Sequence, residues 1–241
     1  MYSHSRKKGI HFTSQGEYLY KYAIDMLDAL ENVTNHLISM NQKVSGVLKI
    51  GATRSLIKSF LPEYLVPFSN NYPDVEFSIK SGHSADIANM ILNRDINIGF
   101  VRDSVKWEWS KKLVLKEDIL IISNKPTTYE ELPRLNMVSY SSEASLARVT
   151  EQWWRNRYPT PPNILMTVDS LEATKEMVRH GLGFAIVPDA NKSGIAGLYT
   201  MPLLTKNGES ITRESWMIYQ DHSLSNNAVS AFIRQICDNL G

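Results

Sequence analysis

The chain has 241 residues, 43% of them hydrophobic and 21% charged, with a formal net charge of +1 and a single cysteine, Cys237. This composition fits a globular protein with one or two cores, and it excludes a disulfide scaffold, a disordered chain and any global field that would draw nucleic acid or a membrane surface. An apolar run of about 18 residues and a signal-peptide pattern are both missing from the sequence, so the expected address is the cytoplasm.

Residues 1–12 form a basic, turn-prone strip with Arg6, Lys7 and Lys8 at its centre. Ser14 and Glu17 then make a capping box, with Thr13 as a competing cap. The helix they open carries Leu19, Tyr22, Met26, Leu30, Val33, Leu37, Met40 and Val44 at steps of three and four, without Pro or Gly until Gly46. At about 30 residues with one apolar seam it reads as a dimerising linker or as a helix packed on its own domain. From Gly46 strands and helices alternate. Val47, Leu48 and Ile50 give a buried strand. Gly51 and Ala52 give a tight turn, and Thr53, Arg54 and Ser55 open a helix. The unpaired N–H groups and dipole of that first turn suit an anion, or else Thr53 or Ser55 merely caps it.

Beyond Pro73 the pattern predicts a strand at 75–79, a helix capped by Ser84 through residue 92, and a buried strand at 96–101 that ends on Arg102. Residues 105–112, with Trp107 and Trp109, read as a surface loop before a strand at 113–123. This βαβ alternation predicts a parallel sheet covered by helices. A second α/β unit follows. Its strand at 137–140 runs into a hydroxyl-rich turn holding Tyr140, Ser142 and Ser145, and its helix carries Trp153 and Trp154 as packing residues. A further strand ends at Asp169 and Ser170, which cap a helix stopped by Gly181. After the strand at 184–187 and one leading out at 198–204, residues 216–219 and a helix at 226–240, which would hold Cys237 as a packed thiol, return to complete the first lobe.

The sequence offers no catalytic constellation, no metal-ligand spacing and no dinucleotide fingerprint, so neither enzyme nor cofactor is expected. What remains is a set of strand ends bearing small hydroxyls and charge, facing one another across two lobes. Such ends make a cleft for a small polar molecule.

Several segments together resemble LysR-type transcriptional regulators. Residues 12–19, FTSQGEYL, are similar to the family's "LTxxGxxL" signature, and residues 46–51, GVLKIG, to its first sheet strand. Leu61-Pro62, Tyr72-Pro73 and residues 180–188, HGLGFAIVP, stand where the family has matching motifs. Residues 152–154, 168–169, 201–204 and 213–216 look most like the citrate-responsive catabolite-control regulators of Gram-positive bacteria. The resemblance implies an α/β fold: a linker helix at 13–45, then a two-lobed, periplasmic-binding-protein-like effector domain at 46–241. Lobe I would be about 46–123 with 209–241, and lobe II about 124–208. It also implies a small carboxylate effector held by Thr53, Arg54, Ser55, Ser84, Arg102, Tyr140, Ser142, Ser145, Asp169 and Arg213, a homodimer or homotetramer, and no membrane. The family begins with a winged helix-turn-helix that binds DNA. Residues 1–12 resemble only the end of its wing, with Arg6, Lys7 and Lys8 as phosphate contacts, so the chain reads as a regulator lacking most of that module. A solute-binding protein for a small anion is the alternative of a different class.

Overall fold

The computed structural model describes residues 2–3, 11–40, 44–102, 105–141, 144–188 and 195–240. Two short strands, β1 (Tyr2–Ser3) and β2 (His11–Phe12), pair antiparallel. Helix α1 (Ser14–Met40) follows, and its cap is Thr13, whose Oγ1 accepts from the Gly16 N–H at 3.2 Å. Of the two caps the sequence left open, Thr13 rather than the Ser14 box is the one found, and Ser14 is already helical.

Next come β3 (Gly46–Ala52), α2 (Arg54–Ser59), α3 (Leu61–Asn71), β4 (Val75–Ser81), α4 (Ser84–Leu92), β5 (Ile98–Arg102) and β6 (Lys111–Ser123). Where the sequence suggested one helix after β3, there are two. They break at Phe60, just before Pro62, whose ring cannot continue an incoming helix and restricts the residue preceding it.

The remainder comprises β7 (Asn136–Tyr140), α5 (Ala144–Arg157), β8 (Asn163–Val168), α6 (Leu171–Arg179), β9 (Ala185–Pro188), β10 (Tyr199–Pro202), β11 (Thr212–Tyr219) and α7 (Asn227–Asp238).

The main sheet has the order β10-β6-β11-β5-β3-β4, with β9 also on β6. It is mixed, which corrects the parallel expectation. Strands β3 and β5 are parallel, but β11 inserts antiparallel between β5 and β6, and β6 is antiparallel to β9 and β10. The returning residues 216–219 are the second half of β11, a central strand. Strands β7 and β8 form a separate parallel pair.

The chain divides into two compact units, residues 1–49, 63–78 and 220–241 in one, residues 50–62 and 79–219 in the other. The first centres on Phe68, which meets Tyr72, Phe77 and Phe232 at ring separations of 4.7, 6.1 and 5.0 Å. In the second, Gly51 and Gly99 lie opposite each other on β3 and β5, and Ile87 of α4 sits over both. A Cβ on Gly99 would fall 2.7 Å from Ile87 Cγ2, so the missing side chains let α4 lie close on the sheet. A second core in this unit gathers Ile119, Ile121, Leu146, Trp153, Trp154 and Phe184. No helix among the described residues is long and apolar enough to cross a membrane.

Candidate effector cavity

The second unit holds a cavity of about 1560 Å³, bounded by the ends of β3, β4 and β5 on one side and of β7 and β8 on the other. After β3, β4 and β8 the chain passes from strand to helix, and hydroxyls and charge stand at those helix starts. Thr53 is the N-cap of α2, and its Oγ1 is 3.3 Å from Ser55 Oγ. On α4 the N-cap is His83, in a capping box with Asp86. Ser84, expected as that cap, instead exchanges hydrogen bonds with the backbone of Arg102, accepting from its N–H at 3.0 Å and donating to its carbonyl at 3.2 Å. Across the cavity, Tyr140 and Val168 pair at the ends of β7 and β8, and Ser170 caps α6 by accepting from the Ala173 N–H.

Of the residues singled out in the sequence, Thr53, Arg54, Ser55, Ser84, Arg102, Tyr140, Ser145 and Asp169 line this cavity. Ser142 lies outside the described residues, as do Arg6, Lys7 and Lys8. Arg213 does not line the cavity. It is buried on β11, in register with Glu117 of β6. Nothing local in the sequence signals this, because a strand pattern does not say which strands will flank it.

Arg102 proves to be committed. Its Nη1 lies 2.5 Å from Glu117 Oε1 and donates to Ser215 Oγ at 3.1 Å, while Nη2 reaches Ser55 Oγ at 3.4 Å. Both partners of the ion pair are almost wholly buried. Arg102 therefore braces the cavity floor, and its charge is largely balanced from behind. The side chains of Arg54 and Lys106, by contrast, hold no ion pair or hydrogen bond with another described residue.

Other lining groups escaped the sequence reading: Lys58, His83, Arg148, Lys175 and the segment of Trp107 and Trp109. Lys58 falls four residues after Arg54 and Arg148 three after Ser145, so helical spacing was the available signal. Residues 105–109, expected as a surface loop, are a wall of the cavity. Lining cations are Arg54, Lys58, Arg102, Lys106, Arg148 and Lys175, against Glu108, Asp169, Glu172 and Glu176.

Lys58 Nζ meets Glu172 Oε1 at 2.6 Å, joining α2 to α6 across the cavity rim. The Lys58 hydrogen bond, ahead of one from the Glu172 backbone, holds the Glu172 carboxyl below its ordinary value. A depressed carboxyl contributes stability above its unfolded value that is lost as pH falls through the folded one. Both side chains are largely exposed, so Glu172→Gln should lower stability near neutral pH by less than about 1 kcal/mol. It should also flatten part of the acid-side decline in a pH series of thermal unfolding curves. An unchanged acid limb in the variant would show that the pair carries no linkage.

No group of three His, Cys, Asp or Glu among the described residues could hold a metal ion. Among the described residues no nucleophile stands beside a positioned base, but cations, hydroxyls and helix N-termini converge on one space, which suits binding of an anion.

The family profile of the LysR substrate binding domain matches residues 41–241. An uncharacterized HTH-type transcriptional regulator of Bacillus subtilis, YraN, is 36% identical over 228 residues, covering 95% of this chain and 79% of that protein. Among solved structures, the C-terminal domain of a probable LysR family regulator from Rhodococcus aligns at a TM-score of 0.66 and 18% identity, over 80% of this chain and 100% of that one. CbnR, a LysR family transcriptional regulator, aligns at 0.62 and 15% identity over 98% of this chain and 83% of its own. These relatives are transcriptional regulators, not enzymes. Members of the family bind small-molecule effectors and DNA and form oligomers. The chain belongs to the LysR family of transcriptional regulators, and its two-lobed α/β region is the family's effector-binding domain.

Proposed function

We propose that residues 46–241 sense a small organic carboxylate in this cavity, and that residues 13–45 hold a homo-oligomer whose arrangement shifts when the cavity fills. The observation that carries the reading is Arg54. It stands on the first turn of α2, lines the cavity beside Ser55 and Thr53, and has no ionic partner among the described residues. A guanidinium can hold a carboxylate through two parallel hydrogen bonds, each charge-assisted bond worth about 1.5–3 kcal/mol. Citrate is the first compound to test, because the segments at 152–154 and 213–216 resemble citrate-responsive regulators.

Calorimetric titration with citrate, isocitrate, an amino acid and a sugar tests the ligand class. Arg54→Ala should weaken carboxylate binding by roughly one to two decades. Heat from the sugar alone, or carboxylate binding unchanged in the variant, sinks the assignment. Arg213→Ala is a poor probe because that side chain is buried and does not line the cavity.

The oligomer reading is supported by α1, where Leu19, Tyr22, Met26, Leu30 and Val33 recur at helical spacing and are all exposed. A stripe of that kind is covered when a second copy pairs with it. Met26→Glu with Leu30→Glu would place carboxylates in the apolar seam at a cost of several kcal/mol, on the order of the penalty for burying unpaired charge. Sedimentation velocity should then show a smaller particle. Identical masses for variant and parent would rule out this helix as the interface.

A further inference from the structure

The cavity is larger than the approximately 300–1000 Å³ that ordinary ligand pockets occupy, and a compact hydrophilic carboxylate would leave much of its wall wet. That wall is not uniformly polar. Ala85, Ala88 and Leu92 recur at steps of three and four on one face of α4, and this face lines the cavity together with Val105, Trp107 and Trp109. The small residues at 85 and 88 leave space, and the larger ones bound it.

The indoles are set rather than loosely draped. Trp107 donates its Nε1–H to the carbonyls of Ser110 and Tyr219 at 3.1 and 3.2 Å, so its hydrogen-bonding edge is already spent. Its ring packs on the cluster of Ile87, Ile91 and Val101, and it supports Trp109 edge to face at 5.0 Å. Trp109 is 41% exposed and Leu92 is 46% exposed, although both line a cavity. Apolar surface held open to water in a concave wall is favourable to cover, and an indole face is best covered by a flat ring.

We propose that this wall is an aromatic subsite adjoining the carboxylate end, so that the effector is a carboxylate bearing a flat apolar ring. The inference rests on the carboxylate reading above for the anionic end and on the Trp107–Trp109 wall for the rest. Trp109 and Leu92 are then the residues that select among carboxylates, whereas Arg54 holds the group they share.

The test compares succinate with phenylsuccinate, which differ only by the ring, and adds the neutral phenylsuccinic diamide. All three are titrated into the full chain by calorimetry, with indole fluorescence as a second readout. Phenylsuccinate should bind at least about tenfold more tightly than succinate and perturb the fluorescence. Trp109→Ala should reduce that ratio to about threefold or less while leaving succinate unchanged. Because Trp109 is 41% exposed, the variant should unfold close to the parent's temperature, and Leu92→Ser provides a second variant, on the α4 part of the wall. A ratio near one in the parent, or a large ratio untouched in both variants, overturns the aromatic subsite and leaves the carboxylate reading standing. Binding of the diamide as tight as that of the diacid keeps the subsite and removes the carboxylate. Absence of binding by all three overturns the subsite.

Discussion

Glu117→Ala is expected to lower the stability of the chain by about 3–5 kcal/mol, the range seen when one partner of a buried ion pair is removed. The cause is Arg102. Its guanidinium is almost wholly buried, and Glu117 is the acid that balances it at 2.5 Å. With the carboxylate gone, a full positive charge would remain in a dry site, and Arg213, in register with Glu117 on the adjoining strand, adds a second buried guanidinium there. For a chain of this size the melting midpoint should fall by roughly 2–4 °C per kcal/mol. Glu117→Gln, which keeps an acceptor but not the charge, should fall between parent and alanine variant. Arg102→Met combined with Glu117→Leu should recover part of the loss by replacing the pair with apolar volume. The measurement is thermal unfolding followed by calorimetry. An alanine variant within about 1 kcal/mol of the parent would mean that solvent reaches the pair and that Arg102 is available to a ligand after all.

The same pair shows why some of the site was legible in the sequence and some was not. Thr53, Arg54, Ser55, Ser84, Tyr140 and Asp169 could be found because strand ends in α/β folds are local events, written in the switch from two-residue to helical periodicity. The pairing of Arg102 with Glu117 depends on β6 running beside β11 and β11 beside β5, and no local pattern records that order. Likewise the loop of Trp107 and Trp109 looked like surface because it is charged and irregular. Its place in the cavity wall comes with a tertiary hydrogen bond from Trp107 to Tyr219, beside a local one to Ser110. The antiparallel entry of β11 was hidden for the same reason. Gly181, in contrast, acts on its own backbone and was visible as a stop, whereas the break ahead of Pro62 was concealed by the helical spacing of Leu56, Ile57, Phe60 and Leu61.

Gly183→Ala is expected to be as damaging as loss of Glu117, by a different route. Residues 180–183 read as a simple helix stop, and Gly181 at φ +84° fulfils that part. Gly183 has a separate task. Its φ is +143°, a region that side chains rarely adopt, and a Cβ placed on it would fall 2.1 Å from the carbonyl oxygen of Asn136. That oxygen cannot retreat freely, because it accepts from the Phe184 N–H at 3.0 Å, while the Val138 N–H donates to the Phe184 carbonyl at 2.8 Å. These two bonds join β7 to the strand that leads into β9. A methyl group there would part the strands, displace Phe184 from its stack on Trp154, and shift the strand that ends at Tyr140 in the cavity. Backbone strain of about 1–3 kcal/mol adds to the loss of two buried hydrogen bonds, for a total of about 3–5 kcal/mol. Gly197 supplies the control. It also has a positive φ, +78°, but a Cβ there meets nothing within 4 Å, so Gly197→Ala should cost only about 1 kcal/mol. Parallel unfolding curves for the two variants separate conformational strain from steric exclusion. Equal, small shifts for both would mean that β7 and β9 can move apart without loss, and that the close approach at Asn136 is not what holds this lobe together.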